Sequence, residues 1–144
     1  MKESSWNDCI FGNKAVKVSP DRQKSKSLVE TAKERIEFVK AIVITEKNAR
    51  FVFEDYYTSL IEVVHALAIL DGFKIENHVC LGFYIKEVQK SERLFLLFDS
   101  CRYARNSVVY YGKSMEMETA KINIGKAVVI INELGKAVDL RLKK

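Results

Sequence analysis

Two guanidinium groups, an amide and a phenol are crowded into the stretch from Asp99 to Gly112: Arg102, Arg105, Asn106 and Tyr110, with Tyr111 beside them. Groups of this kind hold and orient phosphate. Arginine offers a planar fork of donors that matches phosphate oxygens, and an amide can orient an oxygen or a base edge. The spacing decides how they are presented. Leu94, Leu97, Phe98, Cys101, Arg105 and Val108 follow steps of three and four, which keeps them on one face of an α-helix. Arg105 therefore sits in or beside an apolar stripe, with Arg102, Asn106 and Tyr110 in the adjoining row. A buried guanidinium without a partner is unfavourable, so Arg105 must find a carboxylate, a phosphate, carbonyls or a wet interface. Gly112 supplies the left-handed stop that leaves Tyr110 and Tyr111 in the final turn.

Other chemistry is sparse. No glycine-rich phosphate loop, His-Glu-x-x-His or paired-cysteine zinc pattern occurs, and no cofactor is implied. Glu62 and His65, three apart on a helix, or His78 with Cys80 two residues on, could share a metal; each reads better as an ordinary structural pair, with His78 donating to a loop carbonyl. No metal site is expected. The six tyrosines suit core and interface positions with wet hydroxyls.

Length and composition bound the scaffold. With 144 residues, 48% hydrophobic, the chain suits one globular domain, and one Pro with six Gly favours long helices over a many-stranded sheet. Most of the net charge of +5 lies between Lys14 and Lys40. Glu30, Glu34 and Glu37 are mixed into that segment and Phe38 is its one aromatic, the pattern of a solvated helix face rather than a nucleic-acid patch. Cys9, Cys80 and Cys101 are odd in number and scattered, which fits free thiols in a reducing compartment. No basic leader or uninterrupted apolar span is present, so the expectation is a cytoplasmic protein with no membrane partner.

Along the chain, residues 1–18 read as an N-terminal arm, carrying Trp6 and Phe11, that packs on its own domain; residues 19–144 read as a single bundle. Ser19-Pro20-Asp21 predicts a helix start with Ser19 as N-cap. Thr45 or Asn48 caps the longest helix, which ends at Asp71-Gly72 and is apolar on two sides, hence buried centrally or shared between subunits. Asn77 caps a third helix, Ser91 or Glu92 starts a fourth, and Ser114 caps a fifth in which Gly125 could mark a close crossing.

Arg105-Asn106, three residues, then Tyr110-Tyr111 and Gly112 on the fourth helix of this series resemble the signature region of HEPN domains. The likeness runs from Ser19-Pro20-Asp21 through the long second helix and Asp71-Gly72 to Asn77-His78-Val79-Cys80 and the last helix. It implies an all-α antiparallel bundle of four or five helices, forming a two-fold homodimer in which the fourth helices meet. Ribonucleases of the family carry an Arg, a polar residue that is often Asn, and a His shortly after them. Here Tyr110 stands in the place of that His. An ordinary phenol, with a pKa of about 10, is only about one part in a thousand phenolate at pH 7, so the motif reads as degenerate.

The resemblance leaves three functions open. Arg102 and Arg105 would bind RNA or nucleotide phosphate without efficient cleavage; or Arg105, Asn106 and Tyr110 would form a metal-independent ribonuclease with an altered base; or Arg105 would be architectural, tied to Asp99 or a glutamate in a non-catalytic dimer. It also implies a toxin and antitoxin type of pair with a separate minimal nucleotidyltransferase. Gly112 occupies the position of the family's AMP acceptor, which leaves Tyr110 and Tyr111 as substitute acceptors.

Overall fold

In the computed structural model, which describes residues 2–144, the chain is an all-α bundle with one small β-ribbon. Its axis is α3 (Ala49–Leu70). Both apolar rows of that helix are buried, Phe53, Tyr57, Leu60, Val64 and Leu67 on one side and Val52, Tyr56, Val63 and Leu70 on the other. α2 (Arg22–Val39) and α6 (Met117–Leu142) pack along α3, and α5 (Glu92–Tyr111) packs on α6 while also touching α3 and α4 (His78–Phe83). After α4 the backbone continues through one π-helical turn, Tyr84–Val88. No helix among the described residues is long and apolar enough to cross a membrane.

Local chemistry sets most boundaries where the sequence places them. Asn77 and Ser91 accept from the backbone N–H groups of Cys80 and Leu94 and so fix the starts of α4 and α5. Gly72 and Gly112 end α3 and α5 with φ of +82° and +62°. Two caps differ from expectation. Asp21, not Ser19, caps α2, because its carboxylate accepts from the Lys24 N–H. Ser114 does not cap α6 either: the helix starts at Met117, whose N–H donates to Glu46 on the loop before α3. A Cβ on Gly125 would meet nothing within 4 Å, so that glycine marks no helix crossing.

The N-terminal segment packs tightly on the bundle. It forms a short helix, α1 (Trp6–Phe11), and a strand, β1 (Ala15–Lys17), which pairs antiparallel with β2 (Phe73–Ile75) in the register Val16 to Lys74. Trp6 packs edge-on against Phe73, with ring centroids 5.2 Å apart, and lies against Tyr84. Beside it, Cys9 and Cys80 form a disulfide across a sequence separation of 71. This overturns the expectation of three free thiols, and with it the argument from cysteine usage for a reducing compartment. Only Cys101 is free; it is buried on α5, and burial pushes its thiol up to about 12.

Closing a loop of this length removes enough chain entropy from the unfolded state to stabilise the fold by about 4 kcal/mol. Urea unfolding in dithiothreitol, or of Cys9→Ala, should show a loss of that order. An unchanged midpoint would mean that the crosslink contributes nothing.

Candidate functional site

Arg102, Arg105, Asn106 and Tyr110 come together on one wall of a cleft of about 490 Å³. The opposite wall is the start of α4, with Asn77 and His78, and the N-terminal residues Lys2 and Glu3 close one side. Tyr111 does not line this cleft; its ring is exposed at the end of α5.

The two arginines differ in kind. Arg102 is committed, with its side chain only 11% exposed and its Nε and Nη2 each 3.0 Å from Asp99 Oδ1. Asp99 therefore serves Arg102 rather than Arg105. Among the described residues Arg105 pairs with no carboxylate. Its guanidinium sits 5.7 Å from the centroid of the Tyr57 ring and donates through Nη1 to the Tyr110 hydroxyl at 3.3 Å. Tyr110 itself is 68% exposed and stands at the mouth of the cleft.

His78 is the residue that sequence reasoning missed. Instead of donating to a loop carbonyl, its Nδ1 lies 2.9 Å from the hydroxyl of Tyr57, a buried residue of α3. The phenol can donate to Nδ1 or accept from it, so one contact serves either neutral tautomer. Burial, then the charges of Arg105, His65 and Arg102, hold the imidazole down to about 4. It is neutral at pH 7. Tyr57, raised by burial against the lowering influence of Arg105 and Arg102, keeps its proton at that pH. His78 and Arg105 also border a smaller cavity of about 230 Å³ beneath the cleft, beside Tyr57 and Glu54.

The signal for this arrangement was partly present. Asn77 as an N-cap fixes His78 as the first residue of α4, and a buried tyrosine on α3 needs a partner for its hydroxyl. That α4 delivers this partner follows from packing between elements distant in sequence. Neither metal pairing forms: Glu62 makes an ion pair with Arg35, Cys80 is in the disulfide, and no cluster of metal-ligating side chains occurs among the described residues.

No family model, curated protein or solved structure matches this chain.

The depressed imidazole links the cleft to stability. An unfolded histidine titrates near 6.5, so the stability held by neutral His78 is fully present above that pH and is lost as the pH falls towards 4. Imidazole NMR should place the His78 midpoint at about 4. Arg105→Ala should raise it by removing a nearby positive charge, and a wild-type midpoint at or above 6.5 would contradict the burial described here.

Proposed function

We propose that this chain is an HEPN-like protein whose cleft between α4 and α5 binds the phosphodiester backbone of RNA. The observation that carries the reading is Arg105: half-buried, without a carboxylate, and fixed on the wall of a cleft it shares with a second guanidinium, an amide and a neutral imidazole. A phosphate oxygen is the acceptor such a guanidinium lacks. Asn106, whose amide has no hydrogen-bond partner among the described residues, lines the same wall and can orient a second oxygen or a base edge. Tyr110 at the cleft mouth offers an exposed ring on which an unpaired base can stack. Single-stranded RNA, with its accessible bases and regular phosphates, uses all of these features.

A purely architectural Arg105 is less well supported. Of the carboxylates it could use, Asp99 is occupied by Arg102, and no glutamate among the described residues of the chain pairs with Arg105.

The reading includes a two-fold dimer. Leu96 and Tyr103, seven residues apart on α5, are 59% and 62% exposed. An apolar row of this kind at heptad spacing is a helix-pairing surface. Two α5 helices meeting there would place two clefts side by side along one RNA strand. Sedimentation should give a dimer at micromolar concentration and a monomer for Tyr103→Glu; a monomer for both would remove the dimer.

Fluorescence anisotropy with a mixed-sequence single-stranded RNA tests the binding reading. Arg105→Ala should weaken affinity by about 10-fold or more, since a charge-assisted hydrogen bond is worth about 1.5–3 kcal/mol. Because each phosphate contact to a single strand contributes a slope of about 0.7, the salt dependence should fall by roughly that amount. Affinity unchanged by the substitution would sink the reading.

A further inference from the structure

The motif on α5 has a phenol where its reaction would need an imidazole, yet an imidazole lies in the same cleft. It arrives from α4. We infer that His78 is the general base of this site, taking the proton from the ribose 2′-hydroxyl of a bound RNA; the inference rests on the phosphodiester reading of the cleft.

Three features of the geometry carry it. His78 and Arg105 line both the cleft and the smaller cavity beneath it, so a phosphate held by Arg105 lies beside the imidazole. Nδ1 is anchored on the Tyr57 hydroxyl at 2.9 Å, which fixes the ring. Nε2 has no hydrogen-bond partner among the described residues, and it is not among buried polar atoms left unsatisfied, so it is open to solvent. When Nδ1–H donates to the Tyr57 oxygen, the Nε2 lone pair is the free one. A ring anchored through one nitrogen with the other open to a cleft that Arg105 also lines is the arrangement a general base requires.

The step balances without a metal or an external reagent. The 2′-O–H bond breaks and its proton passes to Nε2, giving an imidazolium that still donates Nδ1–H to Tyr57. The 2′-oxygen bonds to phosphorus, and the bond from phosphorus to the 5′-oxygen breaks. Arg105 carries the negative charge that builds on the non-bridging oxygens. The 5′-oxygen takes a proton from water, and the imidazolium returns its proton to solvent. The products are a 2′,3′-cyclic phosphate and a 5′-hydroxyl.

The groups around His78 determine its pH behaviour. Arg102 and Arg105 face it from α5, and Tyr57, His65 and Glu54 from α3. Glu76 precedes it by two residues, and Lys2 and Glu3 line the same cleft, Glu3 accepting from the adjacent Asn77. In the free protein burial and the two arginines keep the ring a weak base. A bound phosphate offsets the arginine charge, which raises the basicity of His78 when substrate is present. Cleavage should therefore be level from about pH 7 upward. A Tyr110 phenolate acting as base would instead drive a rise towards pH 10.

The experiment follows cleavage of a fluorescent mixed-sequence RNA in EDTA from pH 5 to 10, alongside anisotropy with the same RNA carrying uncleavable 2′-O-methyl groups. Wild-type protein should give cyclic-phosphate ends with a level rate above about pH 7. His78→Gln, whose amide can keep the contact with Tyr57, should cut the rate by about 10²–10⁴-fold while affinity for the methylated RNA stays within about twofold. Free imidazole should restore part of the rate to His78→Ala, an effect that a merely structural histidine would not show. If both variants fail to fold, the wild-type pH profile and end groups decide. Binding of the methylated RNA without cleavage of the unmodified RNA at any pH, a rate that climbs to pH 10, or wild-type cleavage by His78→Gln would overturn the inference while leaving the binding reading in place. Failure of the methylated RNA to bind would remove that reading and the inference with it.

Discussion

Helix α3 is buried on both flanks, and a helix can occupy that position only if each polar atom it carries inward finds a partner. The partners come from α2, α4, the π-helical turn and α6. The Ser25 hydroxyl of α2 donates to the Ala66 carbonyl at 2.8 Å, and the Ser59 hydroxyl donates to the Ala32 carbonyl at 3.3 Å. Arg35 of α2 ion-pairs with Glu62. At the C-terminal end Asp71 accepts from Tyr84, Gln89 and Arg141, which joins α3 to the π-helical turn and to α6. Tyr57 points the same way: its ring is core, but its hydroxyl must be satisfied, and His78 does so.

That last contact also fixes an imidazole in the wall of the cleft. The short helix α4 has only six residues, of which Leu81 is buried in the core and Phe83 stacks on Phe95 of α5. It is held by the Asn77 cap, by the disulfide from Cys80 to α1, and by the bond from His78 to α3. Glu3 accepts from Asn77 at 3.0 Å and Trp6 N–H donates to Glu87 at 2.7 Å, so the N-terminal segment clamps α4 from outside. Without the segment before residue 19, α4 would lose the disulfide and the Glu3 contact and would keep only its own cap, the bond to Tyr57 and its packing on α5. The arm is part of the site's support.

Much of this framework can be read in the chain, and the misses have physical reasons. Asn77, Ser91, Gly72 and Gly112 mark boundaries because a cap acts within three or four residues of itself. Ser19 and Ser114 misled where another carboxylate competed: Asp21 lies two residues after the first, and Glu46 reaches α6 from a distant loop. The pairing of Cys9 with Cys80 leaves no local trace, since it joins segments 71 residues apart. Arg102, Arg105, Asn106 and Tyr110 were legible as a group because one helix presents them. His78 was not, because its contribution depends on how α4 is laid across α3 and α5.

A phenol at position 110 and an imidazole at position 78 are matched to their surroundings. Position 110 is exposed, and a group there is solvated; its ring remains available for stacking, and its hydroxyl accepts from Arg105. Position 78 is partly buried beside two guanidinium groups, where a cationic side chain would be disfavoured twice, by desolvation and by repulsion. Histidine suits that place because it loses its charge there and keeps its hydrogen-bonding capacity. On the proposed reading, the guanidinium groups that would hold a phosphate also add to burial in keeping the imidazole unprotonated. Phosphate binding relieves part of that suppression, so on the proposed reading the histidine becomes a better base when a substrate is in place to use it.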